Sequence, residues 1–193
     1  MITYLVELAG IFLSFAIALL FIDNLVEHYR KQQWTKVRDY TFTDIASHLK
    51  SFVYEIPYFF TSNDPELTII SPISPANTHQ EVAVNFQVLA DELRKIVDKR
   101  DPGINDTTVK YYEAAQWDLD QIQMVLTPRV IQSQAEQELI DVLIEFDQTR
   151  RHLQYMIIGH KLILSREAFP ALISLVEVSG KLYSTLCKYW KFD

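Results

Sequence analysis

Residues 2–22, ITYLVELAGIFLSFAIALLFI, form an apolar stretch whose only charged residue is Glu7. As an α-helix rising about 1.5 Å per residue, the stretch is roughly 31 Å long, which matches the hydrocarbon core of a bilayer, about 30 Å. Twelve of its residues from Leu5 to Ile22 are Leu, Ile, Val or Phe. Their summed insertion free energy outweighs the cost of one carboxylate near the helix end. The stretch therefore predicts a transmembrane span at residues 1–22.

Two other kinds of segment share this composition: a cleaved signal peptide and a buried core helix. A signal peptide carries Lys or Arg ahead of its apolar run and small residues at its cleavage site. Here no basic residue precedes the run, and the run ends in Phe21-Ile22-Asp23-Asn24. The sequence therefore disfavours cleavage, and a core helix is the alternative to a span.

Residues 28–38, a short distance after the stretch, carry four Lys or Arg. No acidic residue occurs between residues 28 and 38, and no charged residue occurs in residues 1–5. Lys and Arg next to a span are retained on the cytoplasmic side. The pattern predicts a single-pass protein of the cell membrane, with a short N-terminus outside and a cytoplasmic bundle. It also predicts a basic cluster that anionic headgroups at the membrane surface would attract. The cluster consists of Arg30, Lys31, Lys36 and Arg38.

Small residues line one face of the predicted span. Gly10, Ser14 and Ala18 recur every four residues, and Glu7 comes three residues before Gly10. Lipid is as apolar as Leu, so helices in a bilayer associate through close approach over small residues and through interhelical hydrogen bonds. We therefore predict that Glu7, Gly10, Ser14 and Ala18 form a membrane-helix association face. Its partner would be a second copy of the chain or another membrane protein.

The rest of the chain has the composition of one acidic helical domain. Only four glycines occur in 193 residues, which favours helices over turn-rich β structure. Residues 61–193 carry 13 Lys or Arg and 19 Asp or Glu, which accounts for −6 of the net charge of −7. This charge, with no basic stripe, makes nucleic acid an improbable partner. Cys187 is the only cysteine, so no intrachain disulfide can form, and its place beside Leu186 predicts a small core residue.

Apolar residues recur at helical spacing through most of the remaining chain. A juxtamembrane helix at residues 23–56 is predicted to continue into the bundle, with a stutter or short break near residues 41–44 where its two apolar stripes are offset. A Pro-rich loop follows at residues 57–78, and residues 79–193 supply the remaining helices of the same domain. The predicted fold class is all-α, one N-terminal transmembrane helix followed by an up-and-down helical bundle. Pro128 should end or kink the helix that precedes it. The six apolar stripes are Val26, Tyr29, Gln33, Val37 and Tyr40; Phe42, Ile45, Leu49, Phe52 and Ile56; Val82, Phe86, Leu89, Leu93 and Ile96; Val109, Tyr112, Ala115, Leu119, Ile122 and Leu126; Ala135, Leu139, Val142, Phe146, Thr149, Leu153, Met156 and His160; and Ala168, Leu172, Leu175, Ser179, Leu182, Leu186 and Tyr189.

The sequence lacks the spacing of familiar catalytic, phosphate-binding and metal-binding motifs. No Glu precedes a His by three residues, which is the pattern of di-metal helical bundles, and the glycines are isolated. Asp44 and His48 share a helix face and are interpreted as a surface pair. Asp118 and Asp120 are interpreted as a solvated face, and His160 as a core histidine. We therefore predict no catalytic residue, no metal site, no cofactor and no enzymatic activity.

Two short stretches carry a resemblance. Residues 22–30, IDNLVEHYR, and residues 34–38, WTKVR, resemble a loose group of uncharacterised bacterial single-span membrane proteins with a cytoplasmic all-helical domain. The resemblance is specific over residues 5–40 and architectural after that, and this chain is poorer in Arg after the span than the group. It implies the topology described above and no activity.

Together these patterns predict a scaffold, adaptor or regulator that acts through protein interactions at the inner face of a membrane. The expected partners are the lipid bilayer and, through the span, a second copy or another membrane protein. The alternative is a small-molecule or lipid sensor with a pocket between bundle helices. A sensor needs a cavity with convergent polar groups, whereas a scaffold needs an exposed apolar or charged patch.

Overall fold

The protein is all-helical in a computed structural model, with no strand among the residues described. The all-α helical bundle predicted from the sequence is thus confirmed. The described residues form five helices, α1 (Ile2–Glu55), α2 (His79–Lys99), α3 (residues 115–132), α4 (Gln137–Gly159) and α5 (Ala168–Tyr189). The structure describes residues 2–57, 78–99, 115–132, 135–159 and 168–190, with the side chains of residues 2–14, 16, 30–31, 96–99 and 157–159 left out.

Helix α1 is one uninterrupted helix of 54 residues, about 80 Å long. The short break considered near residues 41–44 is absent. The hydroxyls of Thr41 and Thr43 donate to the carbonyls of Val37 and Asp39, one turn back, and the helix continues through this step. What changes here is burial, because Thr41 is the first buried residue among the described side chains of α1. The offset between the two apolar stripes marks the point where α1 enters the bundle.

The core lies between the last turns of α1 and the other four helices. Helical spacing predicted its members well, since nearly every stripe residue with a described side chain after Tyr40 is buried. Thr149, Met156 and Tyr189 are half-buried. His160 lies outside the described residues, as do residues 58–77 of the Pro-rich loop predicted at residues 57–78. The largest fully buried side chains are Tyr183, Phe42, Phe52, Phe86, Phe146 and Phe169.

Helix α5 packs antiparallel against α4. Lys181 pairs with Glu145, and Lys188 pairs with Glu138, with 2.5 Å between the charged atoms in each case. From the first pair to the second, α5 advances by seven residues and α4 goes back by seven, so the two helices run in opposite directions. The amphipathic faces of both helices meet in the core beneath these exposed ion pairs.

Helix α5 also packs closely against α2. A Cβ atom placed on Gly180 would lie 2.7 Å from the Cβ of Phe86, closer than real Cβ contacts. Glycine at this position therefore lets the two helices approach. Near the start of α2, the ring of His79 lies beside Tyr183, and its Nδ1 is 2.6 Å from the tyrosine hydroxyl.

Helix α3 contains a π-helical turn, Gln121–Leu126, immediately before Pro128. A proline ring clashes with the carbonyl one α-turn earlier and offers no backbone N–H. The wider π-helical turn makes room for the proline ring. In this turn both the backbone N–H and the hydroxyl of Thr127 donate to the carbonyl of Ile122, five residues earlier. The helix continues through Pro128 to Gln132, so the alternative that Pro128 ends the helix is wrong.

Among the residues that the structure describes, no helix is both long enough and apolar enough to cross a membrane. Most of the predicted span falls on residues 2–14, whose side chains lie outside the described part. The transmembrane helix stays a prediction.

Candidate functional site

The part of α1 that precedes the bundle exposes many apolar side chains. We call residues 15–40 the arm and residues 41–55 the stem. No described side chain of the arm is buried. An exposed apolar surface of this extent marks an interaction or membrane-binding site. The large exposed apolar residues of the arm are Phe15, Ile17, Leu19, Leu20, Phe21, Ile22, Leu25, Val26, Tyr29, Val37 and Tyr40.

The distribution of these side chains changes along the arm. At about 100° per residue, those up to Val26 point in every direction around the helix, whereas Tyr29, Val37 and Tyr40 lie on one face. A helix that is apolar on all sides is surrounded by protein or by lipid, and a single narrow stripe is typical of pairing with one other helix. The arm therefore combines two kinds of surface.

The predicted association face lies mostly outside the described side chains. Nothing is described for the side chains of Glu7, Gly10 and Ser14, and Ala18 is exposed on the arm. The position of Ala18 is compatible with close approach of another helix.

The predicted basic cluster divides between the arm surface and the bundle. The side chains of Arg30 and Lys31 lie outside the description, and Lys36 is exposed. Arg38 is half-buried, and its guanidinium lies 3.9 Å from the carboxylate of Glu136, at the start of α4. Arg38 therefore turns towards the bundle and is less available to lipid headgroups than the sequence suggested.

A buried polar contact fastens the stem to α3. The Nδ1 of His48 lies 2.7 Å from the Oδ1 of Asp118, and Asp118 is only 5% exposed. The ring of Trp117 meets the imidazole edge-on, with 5.6 Å between centroids. The predicted pairing of His48 with Asp44 and the solvated position of Asp118 are both wrong, because α3 packs along α1 and brings a carboxylate from 70 residues away.

A signal for this contact was present in the sequence. Asp118 comes three residues after Ala115 and four before Ile122, which places it on the buried face of α3. A carboxylate on a core face needs a partner, since an unpaired buried charge is costly. The sequence could thus have shown that Asp118 is paired, although not with which residue.

Glu55 lies two turns after His48 on the same side of α1. Burial raises the pKa of its carboxyl, the charge of Asp118 raises it further, and the hydrogen bond from Ser51 lowers it. The Ser51 hydroxyl is 3.3 Å from Oε1, while Oε2 is buried with no hydrogen-bond partner among the described residues. We call His48, Glu55 and Asp118 the junction.

Asp120, two residues after Asp118, points to a different neighbour. It accepts a hydrogen bond from Nη1 of Arg150 on α4, at 2.5 Å, and Arg150 is only 7% exposed. Asp147 lies 4.0 Å from the other terminal nitrogen of this guanidinium. The two aspartates of α3 therefore hold it against α1 on one side and α4 on the other, in place of the solvated face predicted from the sequence.

The junction has the residue types of acid–base and metal sites. However, no three His, Cys, Asp or Glu side chains within the described ranges are grouped so that they could hold a metal ion. The one thiol, that of Cys187, is half-buried against the core, and burial raises its pKa to about 11, so it is not an activated nucleophile. What the geometry shows is a polar contact that joins α1 to α3.

Comparison with known proteins adds no assignment. The chain matches no family model, no curated protein and no solved structure. The resemblance of residues 5–40 to single-span proteins therefore stays a prediction.

Proposed function

We propose that the protein is a membrane-anchored scaffold, adaptor or regulator whose helical bundle acts through protein interactions in the cytoplasm. The observation that carries this proposal is the part of the arm from Phe15 to Ile22, whose large apolar side chains are exposed around the helix. Burying a large apolar side chain is worth about 1.5–3 kcal/mol relative to leaving it in water. A bilayer around this part of α1 would supply that burial.

The continuity of α1 supports the same proposal. The helix begins at Ile2, so its backbone carries the whole apolar stretch without a break and continues into the bundle. Residues 23–40 would hold the bundle about 27 Å from the membrane edge at the helical rise per residue. A rigid spacer of this length suits a protein that presents its bundle to partners beside a membrane.

The alternative function, a small-molecule or lipid sensor, is favoured by the position of the junction. His48, Glu55 and Asp118 lie where α1 is fastened to α3, so a change there could be passed to the arm. A scaffold should keep its partners when His48→Ala loosens this contact, whereas a sensor should lose its response.

Alkaline extraction of membranes tests the anchor. We expect the wild-type chain to stay in the membrane pellet, and a Phe15→Lys and Leu19→Lys variant to be released, because each lysine costs up to about 3 kcal/mol inside the bilayer. A Tyr29→Lys and Tyr40→Lys variant, with the same added charge beyond the span, is the matched control and should stay in the pellet. Release of the wild-type chain would contradict the proposal.

A fusion tests the orientation. A reporter that is active only outside the cytoplasm, attached after Asp193, should be inactive, because the basic flank keeps the bundle inside. An active reporter would place the bundle on the other side of the membrane.

A further inference from the structure

Eight exposed residues of the arm follow an 11-residue repeat. Their spacing along the chain is three, four and four residues, then the same again, so that residues 15, 26 and 37 correspond, as do residues 18, 29 and 40. An 11-residue repeat keeps a stripe almost straight along an α-helix and is the pattern of a coiled coil with a slight right-handed supercoil. We call this stripe the seam: Phe15, Ala18, Ile22, Val26, Tyr29, Gln33, Val37 and Tyr40.

The geometry points to a second copy of this chain as the occupant of the seam, in a parallel two-helix coiled coil. The parallel direction rests on the proposed membrane anchor, because two chains in one membrane leave it in the same direction. The existence of the pair rests on the seam alone.

The seam faces away from the chain's own bundle. The buried residues of the stem, such as Phe42 and Leu49, lie on roughly the opposite side of α1 at about 100° per residue. Two copies can therefore pack seam to seam with their bundles on the outside. The pattern ends at Asp44, the first charged position in its register, just after α1 enters the bundle.

The area of the seam reaches the range of stable pairs when the whole stripe is counted. Tyr29 and Tyr40 are 60% and 67% exposed, and Phe15 is 63% exposed. With the aliphatic members, the pair would bury roughly 700 Å² per chain and roughly 1,400 Å² in all, against about 1,200–2,000 Å² for stable interfaces. Beyond the proposed span, where removal of apolar surface from water drives association, Val26 to Tyr40 supply roughly half of that area, and inside the span the small side chain of Ala18 allows close approach.

The chemistry of the seam suits pairing with an identical copy. In a symmetric parallel pair each residue faces the same residue of the other chain, so any charge would meet its like. No seam residue is charged. Gln33, the one polar member, has both donors and an acceptor, so two copies can bond to each other and fix the register.

Disulfide crosslinking of the full chain in its membrane, with Cys187→Ser as background, tests the pair. Val26→Cys lies on the seam, and Asn24→Cys, two residues earlier, is exposed on the opposite side. Oxidation should give about tenfold more crosslinked dimer from Val26→Cys than from Asn24→Cys, because only the seam brings the two thiols together. Equal yields, or none from Val26→Cys, would overturn the parallel pair.

The mass of the full chain in mild detergent gives a second test. The wild-type chain should be dimeric, Tyr29→Lys with Tyr40→Lys should halve the mass, and the matched control Asn24→Lys with Thr35→Lys, also 11 residues apart, should stay dimeric. A wild-type monomer, a complex with an unrelated protein, or a dimer in both variants would overturn the seam as a self-interface.

A chain held in alkali-washed membranes but monomeric would refute the pairing and leave the anchor. A dimer found in the soluble fraction would refute the anchor and leave the pairing.

Discussion

The arm and the stem are parts of one helix, and their side chains have opposite environments. Phe42, in the stem, is fully buried, whereas Phe21, in the arm, is 74% exposed. The hydrogen-bonded backbone is the same in both, since α1 runs unbroken from Ile2 to Glu55. Helix formation is therefore separate from the question of what surrounds the helix. Tertiary packing supplies that environment for the stem, and we propose that lipid and a second chain supply it for the arm.

The largest expected difference between the two parts is in core packing. Phe42→Ala should lower the free energy of unfolding of the bundle by about 3–5 kcal/mol, because it leaves a cavity in a packed core. Phe21→Ala, the matched change in the arm, should alter it by no more than about 0.5 kcal/mol. Denaturant unfolding of the full chain in detergent measures both. Similar losses would mean that the arm is part of the bundle core.

Loss of a polar contact should also lower the free energy of unfolding more in the stem than in the arm, by a smaller amount. Asp118→Ala removes the buried partner of His48 and should cost about 1–3 kcal/mol. On the arm, Gln32 and His28 make an exposed contact of 3.1 Å, and His28→Ala should cost less than about 0.5 kcal/mol. A double-mutant cycle of His48→Ala and Asp118→Ala should yield a coupling free energy above about 0.5 kcal/mol. A coupling of zero would show that the junction does not fasten the stem to α3.

The smallest expected effect is a pH dependence from Glu55. Its pKa is raised in the folded chain, so folding favours the protonated carboxyl, and stability falls as the pH rises through that raised pKa. Glu55→Gln removes this loss and should stabilise the bundle near neutral pH by less than about 1 kcal/mol, since the group is partly screened by solvent. The gain should shrink in acid, as the wild-type carboxyl takes up its proton.

Thermal unfolding of wild type and variant across acidic to neutral pH measures this gain. Asp23→Asn, which removes an exposed carboxyl on the arm, is the control and should show no comparable gain. A Glu55→Gln variant that is less stable than wild type at neutral pH would contradict the direction of the pKa shift.

Periodicity was enough to predict the core but not its polar contacts. Phe42, Leu49 and Phe52 recur at helical spacing and are all buried, because an amphipathic helix in a bundle turns such a face inward. The partner of His48 could not be predicted, since Asp44 lies one turn away while Asp118 becomes a neighbour only through packing. Long-range contacts of this kind depend on the relative placement of helices, which spacing within one helix does not determine.

The arm shows a second limit of sequence patterns. Val26 and Tyr29 recur with the same spacing as the core residues of the stem, yet they are exposed. Spacing indicates that a helix face will be covered and not what covers it. The π-helical turn before Pro128 shows the same limit. A proline predicts that the helix is disturbed, but it does not determine whether the helix ends there or widens locally.

The most direct test of the account compares two positions on the same side of α1. Ile17 and Thr35 are 18 residues apart, which is about five helical turns, and both are exposed. In inverted membrane vesicles and a Cys187→Ser background, a membrane-impermeant maleimide should label Thr35→Cys at least about tenfold faster than Ile17→Cys, because a thiol in lipid has no water in which to ionise. Once the protein is unfolded in denaturant, the two rates should become equal. Equal labelling in the intact vesicles would contradict a bilayer around the arm, and with it the proposal that α1 anchors the bundle to a membrane.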